Sequence, residues 1–317
     1  MKKALMPVAL LFALLSPQSA LAWHDTGHML VAQIAYLRLT PAAKERVDKL
    51  LVPPQGRRPL IHLCAGYYTP ATCEKTYDPV TIAVWMDDYR GDSLNGVYDN
   101  WHYINYRPFF DGIPERTDVG PEPVNVLDRI NWAMNTLRPM PRQERRDDKR
   151  DAEALGFLYH LVGDVHQPLH AATRYTAAKP DGDAGGNGFT IKKPDGTNTS
   201  LHFFWDSGAG RFKGFEEPKR PLDQASRERL RALADELMKA HPAESMPEWK
   251  STEPLAWVEE SNRIAREFAY TKTKEGEAPS AAYTQEAQRI VGQRVALAGY
   301  RMAEVLNRTF VAPLPAP

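Results

Sequence analysis

The chain carries no excess of either charge: 40 Lys and Arg balance 40 Asp and Glu over 317 residues. That excludes a nucleic-acid binder relying on a bulk basic surface, because such domains are usually strongly basic. A phosphate-handling site here must draw positive charge from a local source, and bound metal is the obvious one. Long apolar runs are equally scarce. The stretch from Ala4 to Leu15 falls short of the ~20 residues a membrane-spanning helix needs, so no integral membrane association is expected. Cysteine is nearly missing, with Cys64 and Cys73 alone. The pair reads as a disulfide, as two free thiols or as two soft metal ligands. An exported chain favours the disulfide, worth ~2–3 kcal/mol in the loop-entropy model.

The export signal is at the start. Lys2 and Lys3, the apolar run and Ala20-Leu21-Ala22 have the order of a secretory leader with an A-x-A cleavage site. The leader implies a periplasmic or secreted protein. Cleavage after Ala22 leaves 295 residues, with 38 basic side chains against 40 acidic ones. It also leaves a free α-amine on Trp23, five residues before His28 in the segment WHDTGH. An α-amine has a reference pKa near ~8, so a metal displaces its proton near neutral pH. The amine, the carbonyl of the same residue and a nearby histidine can chelate zinc together.

Helical periodicity dominates the rest, and the fold class expected is mostly α: a single helical domain over 23–309 with a small β-hairpin. Helices are expected from Met29 to Leu37, where Pro41 interrupts, and over Asn125 to Leu137, Ala152 to Val165, Leu222 to Met238 and Pro254 to Tyr270. The clearest apolar stripe is Val291, Val295, Ala298, Met302, Val305 and Leu306. Gly188 to Lys192 and Thr199 to Phe204 flank Pro194-Asp195-Gly196 as the two arms of the hairpin. The glycine-rich stretch from Asp181 to Gly188 has no P-loop lysine after it and reads as a flexible connection. Arg142 to Arg150 reads as a solvated helix face, and 310–317 as a disordered, proline-rich tail.

The strongest local signal is HLVGDVHQPLH, residues 160–170. His160 and Asp164 lie one turn apart on one helix face, and His170 follows just past the Pro168 break. His202 and Asp206 repeat the spacing in LHFFWD. Asp87 and Arg90 lie in WMDDYR, and His102 in WHYIN. Each pair alone is more often a structural ion pair than a metal site. Together they form an imidazole and carboxylate set suited to zinc.

The segment GDVHQPLH and the W-x-x-x-G-H start resemble the zinc-dependent single-strand nucleases of the mung-bean type, which also act as 3′-nucleotidases. That family shares a helical fold with the bacterial zinc phospholipases C. The likeness runs in one order from Trp23 to Asn307. It implies three zinc ions: one held by Asp87, His102, His160 and Asp164, a second by the Trp23 amine and carbonyl, His28 and the other oxygen of Asp164, and a third by His170, His202 and Asp206. Three zincs against three carboxylates leave a local charge of about +3, which supplies the missing attraction for phosphate.

The resemblance further implies hydrolysis of P–O3′ bonds in single-stranded DNA or RNA to 5′-phosphates. Catalysis would involve Asp87, Asp164 and Arg90, with Arg90 gripping a non-bridging oxygen. It places Tyr103 and Asn105 in a substrate-binding pocket for an unpaired base. Fungal members carry an acid where this chain has Asn105, so their base preference does not transfer. Two other functions fit some of the same residues. A zinc phospholipase C would carry Glu at the last ligand, where this chain has Asp206. A non-enzymatic exported zinc-binding protein would saturate its metals with protein ligands. The other histidines, His24, His62, His166 and His241, read as structural or solvated, and the four-residue spacing of His166 to His170 would also allow it to orient that ligand.

Overall fold

Pro41 does more than interrupt the first helix, because it opens a second. The computed structural model describes residues 23–52, 78–88, 98–138 and 147–311. The expected leader, His62, Cys64, Cys73, Arg90 and residues 312–317 of the expected tail lie outside them. Helix α1 spans Asp25–Leu37 and α2 spans Pro41–Leu51. Proline suits the first helical position, where an N–H has no partner to lose. The Thr40 hydroxyl accepts the Ala43 N–H at 3.3 Å and caps the new helix.

A 3₁₀ turn over Thr81–Val84 leads into the short α3, Trp85–Asp88, and another covers Asp99–His102. Helix α4, Val126–Leu137, starts from a capping box in which Asn125 and Asp128 satisfy each other's backbone N–H groups. Helix α5, Asp148–His166, starts from Asp147. The later helices are α6 (Leu201–Asp206), α7 (Gln224–Ala240), α8 (Pro254–Ile264) and α9 (Ala281–Thr309). A π-helical turn over Ala265–Ala269 prolongs α8, which explains why the sequence pattern runs on to Tyr270. Among the described residues no helix is long and apolar enough to cross a membrane.

Helix α5 is the axis of the molecule. Every residue from Leu155 to His166 is buried, so its His160, Asp164 and His166 need partners inside the protein. It packs against α4 on one side and α9 on another, while α1 lies against α9, α7 and α5. The expected α9 stripe is wholly buried. Phe310, placed in the tail by its sequence position, is also buried, against the hydrophobic core.

Helix α9 also buries two arginines that periodicity did not single out. Arg294 and Arg301 clasp Glu260 of α8 at 2.8 and 2.6 Å. Arg294 Nε donates to the His166 carbonyl at 3.1 Å, and Arg301 Nη1 lies 3.0 Å from His166 Nε2. His166 Nδ1 meets the Val162 carbonyl at 2.8 Å. Burial and the two guanidiniums push the His166 pKa well below its ordinary value. This histidine therefore anchors the end of α5 to α8 and α9 and does not orient His170.

The hairpin is shorter than expected. Strand β3 (Thr190–Lys192) pairs antiparallel with β4 (Asn198–Ser200), after two residues each of β1 (Phe109–Phe110) and β2 (Arg174–Tyr175), which pair in parallel. Residues 201–206 are helix, which corrects the expected strand to Phe204. The Ser200 hydroxyl accepts the Phe203 N–H at 3.0 Å, and this cap converts the second arm into α6.

Candidate metal centre

Three groups of metal-ligating side chains converge where α1, α3, α5 and α6 meet: His28, Asp87 and His160; His102, His160 and Asp164; and His170, His202 and Asp206. Helix α5 contributes its one-turn pair. His160 Nε2 is 3.2 Å from Asp164 Oδ2, and His102 Nδ1 approaches the same oxygen at 2.9 Å. The opposite oxygen, Oδ1, lies 3.4 Å from His28 Nε2. One carboxylate thus faces two groups. Asp87 is also shared, with Oδ2 3.7 Å from His28 and Oδ1 3.6 Å from His160. In α6, His202 Nε2 lies 3.2 Å from Asp206 Oδ2 across one turn, and His170 Nε2 lies 3.9 Å from Asp206 Oδ1.

Three histidines are aimed by backbone carbonyls. Nδ1 of His160 meets the Ala83 carbonyl, Nδ1 of His170 that of His102, and Nδ1 of His202 that of Gly185, all at 2.7 Å. Donation from Nδ1 fixes the tautomer and turns the Nε2 lone pair inward, the usual support for a ligating imidazole. Gly163 lets α1 approach α5, since a Cβ there would lie 2.6 Å from His28 Nδ1. Among the described residues, both ring nitrogens of His28 and Oδ1 of Asp164 are buried without a hydrogen bond. Buried polar atoms in that state are costly, and a cation between them would satisfy them. The donor set therefore fits a metal.

The glycine-rich connection is part of this centre, which corrects its reading as flexible. Asp183 is buried and accepts from Arg174 N–H, Gly186 N–H and Tyr270 Oη at 3.0, 3.1 and 3.0 Å. Gly185 has φ +64°, and a Cβ there would meet the Leu169 carbonyl at 2.7 Å, so only glycine brings this carbonyl to His202. Gln167 is another residue the sequence pattern passed over. Its Nε2 donates to Asp206 Oδ1 at 2.7 Å while its Oε1 accepts from Leu169 N–H.

Trp23 is fully buried, and its indole N–H donates to the Gly163 carbonyl at 2.9 Å. The next residue, His24, donates its N–H to the Asp206 carbonyl at 3.0 Å. The first two residues of the expected mature chain are thus pinned beside Asp164 and Asp206. Tyr103 is half-buried, with its hydroxyl on Asn100 Oδ1 at 2.8 Å. Asn105 is bonded to Glu122 and Thr173.

Burial opposes a charge on His160, but the Asp164 and Asp87 carboxylates outweigh it and raise its pKa to about 9 in the metal-free protein. Burial would likewise raise Asp164; the His160 charge and hydrogen bonds from His102 and His160 hold it well below the carboxylate range. The raised histidine stabilises the metal-free fold below its unfolded pKa, and that contribution is lost as pH rises through about 9. Because only neutral imidazole ligates, metal uptake at pH near 7.5 should release about one proton from His160, and affinity should rise with pH. Calorimetry of zinc binding in two buffers of different ionisation enthalpy measures that proton. Identical apparent enthalpies in the two would contradict the pairing.

A helical domain that gathers five imidazoles and three carboxylates, buried or nearly so, into three candidate ligand groups offers a nitrogen- and oxygen-donor set suited to metal. Comparison with known proteins makes the class specific. The profile of the S1/P1 Nuclease family matches residues 23–311, and the chain belongs to that family. It is 31% identical to Endonuclease 4 of Arabidopsis thaliana over 304 residues, covering 92% of this chain and 90% of that one. Endonuclease 2 of the same plant is 27% identical over 307 residues, covering 91% and 90%. Nuclease S1 of Aspergillus oryzae is 29% identical over 129 residues, 40% of each chain. The protein is a hydrolytic nuclease.

Proposed function

We propose that the chain, exported and trimmed to Trp23, holds three zinc ions and hydrolyses P–O3′ bonds in single-stranded DNA or RNA to 5′-phosphate products, with 3′-nucleotides as further substrates. The observation that carries this reading is the placement of Asp164, whose two oxygens face His28 on one side and His102 with His160 on the other. Asp87, His102, His160 and Asp164 would hold one ion, the Trp23 amine and carbonyl with His28 and Asp164 the second, and His170, His202 and Asp206 the third. Zinc bound there would supply an activated water and positive charge for the phosphoryl group and its departing oxygen.

The chain's own residues do the positioning. The Ala83, His102 and Gly185 carbonyls hold the imidazoles, and Gln167 holds Asp206. Arg90 follows Asp87 by three residues, and its planar fork suits a non-bridging phosphate oxygen. Tyr103 offers a ring face and Asn105 a polar edge to a base, and a base must be unpaired to use both. If so, Tyr103→Ala weakens dinucleotide binding by ~1–3 kcal/mol and leaves zinc content unchanged. Unchanged kinetics would assign the ring to packing alone.

Zinc-loaded, processed protein should release nucleotides from denatured DNA and RNA much faster than from duplex DNA, and should release nothing from lecithin. Phosphocholine release without nucleotide release would point to a phospholipase. Bound zinc without hydrolysis of either substrate would point to a binding protein.

A further inference from the structure

Beside the metal centre lies a polar cluster that no metal ligand uses. Asn105 is three residues past His102, Thr173 is three past His170, and the Ile104 N–H joins the two segments by donating to the His170 carbonyl at 2.8 Å. Glu122 closes the cluster from a third segment. It sits between Pro121 and Pro123, and its carbonyl accepts from Asn125 Nδ2, in the cap of α4, at 2.9 Å. Two fixed φ angles and this bond hold the Glu122 backbone in place.

Glu122 takes two hydrogen bonds from one residue. The Asn105 N–H reaches Oε2 at 3.1 Å, and Asn105 Nδ2 donates to Oε1. On the other side, the Thr173 hydroxyl donates to Asn105 Oδ1. A carboxylate only accepts, so the amide nitrogen must face Glu122 and the oxygen must face Thr173. With those bonds made, one N–H and one oxygen lone pair of the amide are left without a partner among the described residues and could serve a ligand.

The Watson–Crick edges of the bases fall into two opposed patterns. Adenine and cytosine place an exocyclic donor beside a ring acceptor. Guanine, uracil and thymine place an exocyclic acceptor beside a ring donor. An amide fixed in one direction matches one pattern and sets donor against donor in the other. We propose that Glu122, by fixing the direction of the Asn105 amide, is the positioning residue that sets discrimination between amino bases and keto bases. The inference rests on the reading of Asn105 as the residue facing the substrate base.

The test is kcat/KM on the dinucleotides ApA, CpC, GpG and UpU for the zinc-loaded processed protein and its Glu122→Gln and Asn105→Ala variants, with zinc content measured for each. The native protein should separate the amino pair from the keto pair by about tenfold or more, the effect of one mispaired donor. A carboxamide in place of the Glu122 carboxylate would both donate and accept, so Asn105 could face either way. Glu122→Gln should bring the ratio within about threefold of unity or invert it, with zinc content unchanged. Asn105→Ala should bring the ratio to unity. A native ratio of unity, or zinc loss in Glu122→Gln, overturns the proposal. If Glu122→Gln keeps the native ratio while Asn105→Ala loses it, Asn105 reads the base but Glu122 does not direct it. If Asn105→Ala keeps the native ratio, the base-pocket reading fails as well.

Discussion

Asp164→Asn should lower kcat/KM on single-stranded DNA by at least about three orders of magnitude, equivalent to ~4 kcal/mol of transition-state stabilisation. The substitution keeps the shape of the side chain and removes one negative charge. That charge is fully buried and faces His28 through one oxygen and His102 with His160 through the other. An amide cannot offer two anionic oxygens, so two metal groups weaken together. The protein should therefore bind fewer zincs, with the group of His170, His202 and Asp206 retained. Metal analysis beside the kinetics, with a melting curve to confirm folding, checks this. Near-native turnover at full zinc content would remove Asp164 from the bridging position.

The second large effect concerns Trp23, the start of the proposed mature chain. A protein carrying one extra methionine before Trp23 should hold about one zinc fewer and lose at least about a hundredfold in rate. The Trp23 indole bonded to the Gly163 carbonyl and the His24 N–H bonded to the Asp206 carbonyl fix the chain beside both ends of the cluster. In an unprocessed chain the Trp23 nitrogen is an amide whose lone pair is delocalised into the peptide bond, so it cannot serve as a neutral zinc donor. His28 and Asp164 alone are too few for a stable tetrahedral site. Zinc stoichiometry and single-strand nuclease rate, compared for the trimmed and Met-extended proteins, measure this. Equal values in both would show that the amine is not a ligand.

The features legible from sequence were those with local periodicity or one-turn spacing. The α9 stripe, the His160–Asp164 and His202–Asp206 pairs and the helix break at Pro168 are all short-range patterns, and the structure places them as read. The Ser200 cap was a local signal too, but it lost to the alternation of polar and apolar residues beyond the turn. The supporting contacts were not legible because they join distant segments. The Gly185 carbonyl reaches His202, Gln167 reaches Asp206, and Glu122 reaches Asn105, and no spacing rule encodes such partners. The paired glycines Gly185 and Gly186 were the one available sign that Asp181 to Gly188 is a fixed element. The two arginines of α9 were hidden because a buried guanidinium paired with Glu260 looks, in one dimension, like a surface ion pair.

On the proposed reading, two zinc ions share Asp164 and a third lies between His170, His202 and Asp206. Anomalous diffraction at the zinc edge, on crystals of the processed, zinc-loaded protein, tests it most directly. Three peaks are expected. Two should lie ~3.5–4 Å apart astride Asp164, one of them against the Trp23 amine, and the third should lie between His170, His202 and Asp206. A single peak, or peaks away from these side chains, would contradict the account.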